Sequence, residues 1–150
     1  MEREFISWSD DLSVGIQELD EQHKVLIDLI NRIFNEAFIK HNTSVASEVL
    51  TELVQYTIIH FSVEESLFRI FNYPPYEDHK AQHAELTSQV MALKDKIEQG
   101  EEINVELLSF LRGWLKKHIV QEDKKYTSFF AEKGLHKNWA QKSWLGKIWK

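Results

Sequence analysis

Residues 50–71 read LTELVQYTIIHFSVEESLFRIF, and this stretch decides the fold class. Its apolar side chains recur at steps of three and four residues, which is the period of an α-helix with one buried face. Two ionisable residues, His60 and Glu64, fall inside the apolar stripe. The stretch therefore predicts a helix that carries an imidazole and a carboxylate, one turn apart, into the interior of the protein.

Three more stretches show the same periodicity, so the sequence predicts four long helices. They are expected at about residues 17–40, 43–71, 76–98 and 104–130. Helices of this length with short connections bury their apolar stripes by packing side by side. We predict an all-α protein, an antiparallel up-down four-helix bundle. An N-terminal arm with Trp8 and Val14 would lie over it, and the chain would divide into a bundle (1–134) and a C-terminal extension (135–150).

Residues that favour helix ends lie at the predicted boundaries. Thr43 or Ser44 is the predicted N-cap of the second helix and Asn104 that of the fourth, because such side chains accept hydrogen bonds from free backbone amides. Gly100 and Gly134 are predicted to end the third and fourth helices, since glycine commonly follows a helix C-terminus.

Composition restricts the possible classes of function. The chain has 150 residues, 43% hydrophobic and 28% charged, which is the balance of a single globular domain. It contains no cysteine, so disulfides, thiolate zinc sites and cysteine-held iron–sulfur clusters are excluded. The net charge of −6 disfavours a nucleic-acid partner. We expect a cytoplasmic protein, because neither a signal-like N-terminus nor a membrane-spanning apolar run is visible, and we expect a monomer.

The positions of the histidines are the main functional signal. Five of the seven fall on predicted interior stripes, namely His23, His60, His79, His83 and His118. The other two, His41 and His136, fall in a loop and in the C-terminal extension. A single buried histidine is more often a hydrogen-bonded core residue than a ligand. Five of them beside a carboxylate would leave many polar atoms unsatisfied without water, and a bound metal satisfies them together.

The spacing of these residues suits a shared site. His60 and Glu64 are four residues apart, as are His79 and His83, so each pair lies on one face of its helix. Imidazole and carboxylate ligands suit zinc, copper, iron or nickel, and ligand type alone does not select among them. Seven side-chain ligands exceed the needs of one tetrahedral zinc, whereas two metal ions that share carboxylates fit the number.

Two choices between neighbouring acids remain open at this point. After His118, Glu122 suits a regular helix because it is four residues on, whereas Asp123 requires a π-helical or otherwise distorted turn. Glu65 competes with Glu64, but it turns away from the apolar stripe, toward solvent or toward a second layer around the site.

Six motifs follow one another along the chain. They are Trp8 followed by Val14-Gly-Ile, Asp20-Glu-Gln-His23, His60-Phe-Ser-Val-Glu64-Glu65, Tyr73-Pro74, His79-Lys-Ala-Gln-His83 and Trp114-Leu-Lys-Lys-His118-Ile-Val-Gln-Glu-Asp123-Lys-Lys-Tyr126. In this order they resemble the hemerythrin family, specifically the single-domain bacterial hemerythrins, from about Trp8 to Gly134. One departure is Phe68, which stands where the family usually has methionine, and we interpret it as core packing.

The resemblance implies a centre of two iron ions with an oxo or hydroxo bridge, and dioxygen as its ligand. The implied ligands are His79, His83 and His118 for one iron, His23 and His60 for the other, and Glu64 and Asp123 bridging both. It thereby implies Asp123 rather than Glu122. The iron with two histidines would keep an open position at which dioxygen binds.

The function implied by the resemblance is reversible dioxygen binding, for carriage, storage or delivery to an oxygen-consuming enzyme, without enzymatic activity. One alternative is sensing of oxygen or redox state. Another is a di-iron oxidase or iron-handling protein of the ferritin-like group, but that group has carboxylate-rich sites with Glu-x-x-His motifs, and none occurs here.

The C-terminal extension, residues 135–150, repeats lysine and tryptophan with a period of five. The repeat is Lys137-Asn-Trp139, Lys142-Ser-Trp144 and Lys147-Ile-Trp149, and the segment contains no acid. We expect it to fold back onto the acidic bundle and cover apolar surface. The alternative is docking on a membrane surface or on a membrane-bound oxygenase, since tryptophan and lysine together suit the headgroup region.

Overall fold

The computed structural model describes residues 3–133, without the side chains of residues 121–124, and this part of the chain is helical with no strand. Its main helices are α1 (Gln17–Phe34), α2 (Thr43–Ile70), α3 (Tyr76–Glu98), α4 (Val105–Lys116) and the short α5 (Thr127–Glu132). A π-helical turn, Asn35–Ile39, extends α1. The predicted antiparallel four-helix bundle is confirmed.

The helix caps agree with the sequence at one of two predicted positions. The cap predicted at Thr43 or Ser44 is wrong, because Asn42 precedes α2 and its Oδ1 accepts a hydrogen bond from the Val45 amide at 3.2 Å. The fourth helix begins after Asn104, as predicted, where Oδ1 accepts from the amide three residues on at 2.9 Å.

The end of the third helix also agrees with the sequence. Gly100 lies just after α3 with φ of +102°, a conformation that side chains with a Cβ disfavour. Gly134 and the extension at 135–150 lie outside the described residues, so the predicted division of the chain stays a prediction. Among residues 3–133, no helix is both long and apolar enough to cross a membrane.

The N-terminal arm lies over α1, as predicted, and side-chain amides hold it there. Oδ1 of Asn31 accepts hydrogen bonds from the amides of Phe5 and Ile6 at 2.7 and 2.8 Å, and its Nδ2 donates to the Ile6 carbonyl at 2.9 Å. One turn later, Asn35 pairs in the same way with both backbone groups of Arg3. The side-chain amides of Asn31 and Asn35 thus supply the hydrogen-bond partners that the backbone of a neighbouring strand would otherwise supply.

Replacing Asn31 with alanine is expected to lower the free energy of unfolding by about 2 kcal/mol, because three hydrogen bonds are lost and partly buried backbone groups of the arm are left unsatisfied. Urea unfolding of the variant measures this. The exposed Asp28, on the same helix, provides the control variant Asp28→Ala, which should stay within about 0.5 kcal/mol of the parent protein. Equal losses in both variants would contradict the role given to Asn31.

The start of α1 is tied to α5 through the arm. Asp20, which is 5% exposed, accepts hydrogen bonds from the Val14 amide at 2.8 Å and from the Ser13 hydroxyl at 2.5 Å. The Thr127 hydroxyl at the start of α5 donates to the Val14 carbonyl at 3.0 Å. Gly15 passes close to Thr127 with φ of +80°. These contacts hold the last described helix against the end of the bundle that contains the histidines.

Candidate metal centre

Five imidazoles and one carboxylate meet in the interior of the bundle. They are His23 from α1, His60 and Glu64 from α2, His79 and His83 from α3, and His118 from a π-helical turn after α4. None is more than 3% exposed. Ionisable side chains are seldom buried this deeply unless they are paired or bind a metal.

Of the two remaining histidines, His41 lies in the described part of the chain and does not join this cluster. His41 is exposed in the loop between α1 and α2, as predicted. His136 lies outside the described residues. The structure therefore brings together six of the seven predicted ligands, and the seventh, Asp123, has a described backbone but no described side chain.

Glu64 lies at the centre of the cluster. Its Oε1 is 3.0, 3.4 and 3.5 Å from the Nε2 atoms of His83, His118 and His60, and its Oε2 is 3.8 Å from Nε2 of His23. Candidate ligand atoms fall into two sets that each lie within 4.8 Å, one on His23, His60, Glu64 and His118 and the other on His79, His83 and His118. The two sets adjoin each other, and they share His118.

Three buried atoms of the cluster test whether metal ions fit it. Nε2 of His60, Nε2 of His83 and Oε1 of Glu64 are sealed from solvent and make no hydrogen bond within the described residues. Leaving such atoms unsatisfied costs about 1–3 kcal/mol each, and native proteins rarely do so. Imidazole nitrogen and carboxylate oxygen are good ligands for iron and other first-row metals, so the residues fit a metal centre.

The charge states of the cluster also suit metal binding. Burial lowers the pKa of the His60 imidazole well below its usual value, and the neighbouring His23 adds to this effect. For Glu64, burial alone raises the pKa of the carboxyl, but the attraction of His60 and the polar contacts with His118 and His83 outweigh it. The pKa of Glu64 is therefore held well below its usual range. A neutral imidazole and an ionised carboxylate are the forms that bind metals.

The metal-free protein is expected to lose stability as the pH falls below about 6.5, the pKa of histidine in an unfolded chain. Because the pKa of His60 is lower in the folded state, the unfolded chain alone takes up a proton in that range. The free energy of unfolding should fall with a slope of up to about 1.4 kcal/mol per pH unit, and the lowered pKa of Glu64 extends the loss to more acidic pH.

Urea unfolding of chelator-treated protein between about pH 8 and pH 5 measures this dependence. The variant His60→Gln keeps a polar side chain without the titrating ring, and its stability should vary less over the same interval. If the free energy of unfolding of the parent protein rose on acidification, the predicted direction of the pH dependence would be wrong.

A second layer of side chains contacts the cluster. Nδ1 of His60 lies 2.6 Å from Oε1 of Gln22, and Nδ1 of His83 lies 2.9 Å from Oε2 of Glu65. The buried Tyr126 hydroxyl donates a hydrogen bond to Oε2 of Glu64 at 2.7 Å. Of the two positions expected for Glu65, the structure shows the one in the second layer. Such contacts hold ligands in position and influence their strength as donors.

The roles of Gln22 and Tyr126 were missed in the sequence, although weak signals exist. Gln22 lies three residues after Leu19 and four before Leu26, so it belongs to the apolar face of α1. Tyr126 lies eight residues after His118, about two helical turns away. Neither signal identifies the partner, because the contacts join residues that are 38 and 62 positions apart.

The region predicted as one helix over residues 104–130 is not a regular α-helix. After Lys116 it becomes a π-helical turn, Lys117–Glu122, and then a 3-10 turn, Asp123–Tyr126. A π-helical turn is the distortion that a ligand pair at positions 118 and 123 requires, because its hydrogen bonds join residues five apart. The side chains of Glu122 and Asp123 lie outside the described part, so the choice between them stays a prediction.

Phe68 closes the interior beside the cluster. It is fully buried, its ring centroid is 4.7 Å from that of His79, and it also packs against Tyr126 and Phe130. All of these rings are at least 95% buried. The position therefore serves core packing, as interpreted from the sequence, and it adds a rigid apolar wall next to the imidazoles.

Comparison with known proteins places this arrangement in a family. A family model described as "Hemerythrin HHE cation binding domain" matches residues 14–130, which is most of the chain and spans the whole cluster. The chain belongs to the hemerythrin family. The family match confirms the resemblance inferred from the motifs. The hemerythrin family is one of di-iron, oxygen-binding proteins.

Individual hemerythrin relatives cover most of the chain. A bacteriohemerythrin of Pseudomonas aeruginosa is 33% identical over 145 residues, which is 95% of this chain and 94% of that protein. A bacteriohemerythrin of Methylococcus capsulatus is 32% identical over 71% of this chain and 82% of its own length. The solved structure of a wild-type hemerythrin superposes with a TM-score of 0.77, at 29% identity, over 83% of this chain and 96% of that one.

The relatives also bear on the C-terminal extension. The family model ends at residue 130, as expected from the motifs. The match to the Pseudomonas protein covers 95% of the chain, whereas residues 1–134 make up less than nine-tenths of it. The match to this relative therefore extends into residues 135–150, beyond the end of the family model.

Proposed function

We propose that this chain holds two iron ions with an oxo or hydroxo bridge and binds dioxygen reversibly, for carriage, storage or delivery to an oxygen-consuming enzyme. The proposed ligands are His23, His60, Glu64, His79, His83, His118 and Asp123. The observation that carries the proposal is the buried set of five imidazoles around one carboxylate. When bound, two ferrous ions supply the two electrons that reversible dioxygen binding requires.

The residues around the cluster favour binding over turnover because they exclude water. Phe61 stacks face to face on His83, with ring centroids 3.9 Å apart and an interplanar angle of 2°. Phe68 covers the side of His79, and Phe130 packs behind it. An apolar enclosure keeps water and general acids from the reacting atoms, which slows side reactions of a bound ligand.

Tyr126 makes a polar contact with the carboxylate of the cluster. Its hydroxyl donates to Oε2 of Glu64 and leaves Oε1 directed toward His60, His83 and His118. The hydrogen bond therefore fixes the carboxylate in the position from which it can contact both sets of ligands. A hydrogen bond to the ionised carboxylate also stabilises its charge in the buried site.

Anaerobic reduction of the purified protein, followed by repeated addition and removal of dioxygen, tests the proposed function. We expect a visible absorption band that appears with dioxygen and disappears on its removal, together with about two irons per chain by colorimetric assay. A band that forms once and does not reverse would favour an oxidase. Protein that retains no iron would contradict the proposal.

A further inference from the structure

Two histidines of the cluster have second-layer partners that differ in charge. His83 contacts the carboxylate of Glu65, whereas His60 contacts the side-chain amide of Gln22. Carboxylate and amide oxygens both accept hydrogen bonds, so in each pair the ring Nδ1–H donates. Both rings then present the lone pair of Nε2 to the interior, where Nε2 of each lies near Glu64.

Helix α2 holds the His83 ring from two directions. Phe61 stacks flat on the ring, and Glu65, one helical turn later, accepts its Nδ1–H at 2.9 Å. The Glu65 side chain is 21% exposed and the His83 side chain 2%, so this charge lies between the solvent and the cluster. Two basic residues near Glu65, Arg69 and Lys80, are exposed, so water screens their charges.

Gln22 makes the corresponding contact with His60 and carries no charge. It is 7% exposed and its Oε1 lies 2.6 Å from Nδ1 of His60. A carboxylate acceptor makes an imidazole a stronger electron donor than an amide acceptor does, since the negative charge stabilises positive charge that develops on the ring.

We infer that Glu65 and Gln22 are positioning residues that make the two halves of the metal centre unequal in redox behaviour. Glu65 strengthens His83 as a donor and stabilises the oxidised state of the metal ion that His83 binds. Gln22 orients His60 and strengthens it as a donor less than Glu65 strengthens His83, because the amide carries no charge. The inference rests on the proposed function for the identity of the metal, but the two contacts do not depend on dioxygen.

Exchange of the two side chains tests this inference with isosteric variants. In a mediated, anaerobic redox titration of the iron-loaded protein, Glu65→Gln is expected to raise the midpoint potential, because the carboxylate is lost while an acceptor oxygen remains. Gln22→Glu is expected to lower it. The double variant carries one carboxylate again and should lie between the two single variants.

Cobalt(II) titration of the metal-free protein provides a readout that needs neither iron nor dioxygen. Glu65→Leu removes the acceptor altogether and should lower cobalt affinity by roughly 10- to 100-fold. Glu65→Gln should lower it by less, and Gln22→Glu should raise it. If Glu65 and Gln22 served packing alone, Glu65→Gln and Gln22→Glu would both lower the affinity for cobalt.

Unchanged midpoint potentials in both single variants, or shifts of the same sign, would overturn the inference. Failure of the proposed function is distinguishable from this result. If the protein held two irons but did not release dioxygen, the proposed function would be contradicted. The midpoint potential would still be expected to rise in Glu65→Gln and to fall in Gln22→Glu. A protein that holds no iron would contradict the function, and the cobalt titration would still decide the roles of Glu65 and Gln22.

Discussion

Replacing Glu64 with alanine is expected to reduce the iron content of the purified protein from about two per chain to less than one. Glu64 belongs to one of the two sets of candidate ligands, and its Oε1 atom lies 3.0 Å from Nε2 of His83 in the other set, so its loss affects both sets. No other carboxylate with a described side chain belongs to either set. Loss of metal should also lower stability by about 4 kcal/mol where free iron is 1,000-fold above its dissociation constant.

Colorimetric iron assay and thermal unfolding with and without a chelator measure these effects. Glu64→Gln is the matched variant, because it keeps the size and one acceptor oxygen while it removes the charge. Alanine at His60 or His83 should likewise lower iron content, since each contributes an Nε2 atom that makes no hydrogen bond within the described residues.

His41 provides the negative control, and the structure determines which substitution is suitable. Its φ of +55° lies in the left-handed region, where asparagine is tolerated better than alanine. His41→Asn should therefore keep both irons and the stability of the parent protein. Loss of iron in His41→Asn to the extent seen in Glu64→Ala would show that the site has been assigned wrongly.

Replacing Asp123 with alanine is expected to destroy the paired metal site, whereas replacing Glu122 should leave it intact. His118 lies in the π-helical turn Lys117–Glu122, and such a turn brings the residue five positions on much closer to the face of His118 than a regular α-helix does. The expected iron content is about one per chain or less for Asp123→Ala and about two for Glu122→Ala.

Iron assay together with visible absorption under dioxygen compares the two alanine variants. Asp123→Asn is the isosteric control, which separates loss of the charged ligand from loss of side-chain volume. The opposite result, with iron retained in Asp123→Ala and lost in Glu122→Ala, would mean that Glu122 is the ligand and that the π-helical turn has another purpose.

The periodicity of apolar residues along the sequence determined the positions of the helices and the faces that they bury. The four helices, the burial of five histidines with Glu64, and the exposure of His41 follow from apolar residues at steps of three and four, because helix formation and its buried face depend on residues one turn apart. The motifs indicated the family, and their order along the chain carried that information. The capping prediction failed at α2 because three adjacent residues, Asn42, Thr43 and Ser44, can all accept the same kind of hydrogen bond.

The tertiary structure decided which atoms meet. Gln22 reaches His60, Glu65 reaches His83 and Tyr126 reaches Glu64 across helix interfaces. The rotation and axial offset of packed helices fix such contacts, and residue spacing within one helix does not report either quantity. The same holds for the end of the fourth helix. A ligand pair at positions 118 and 123 would require a distorted turn, and contacts such as Thr127 with Val14 hold the chain in place after the turn that the structure shows.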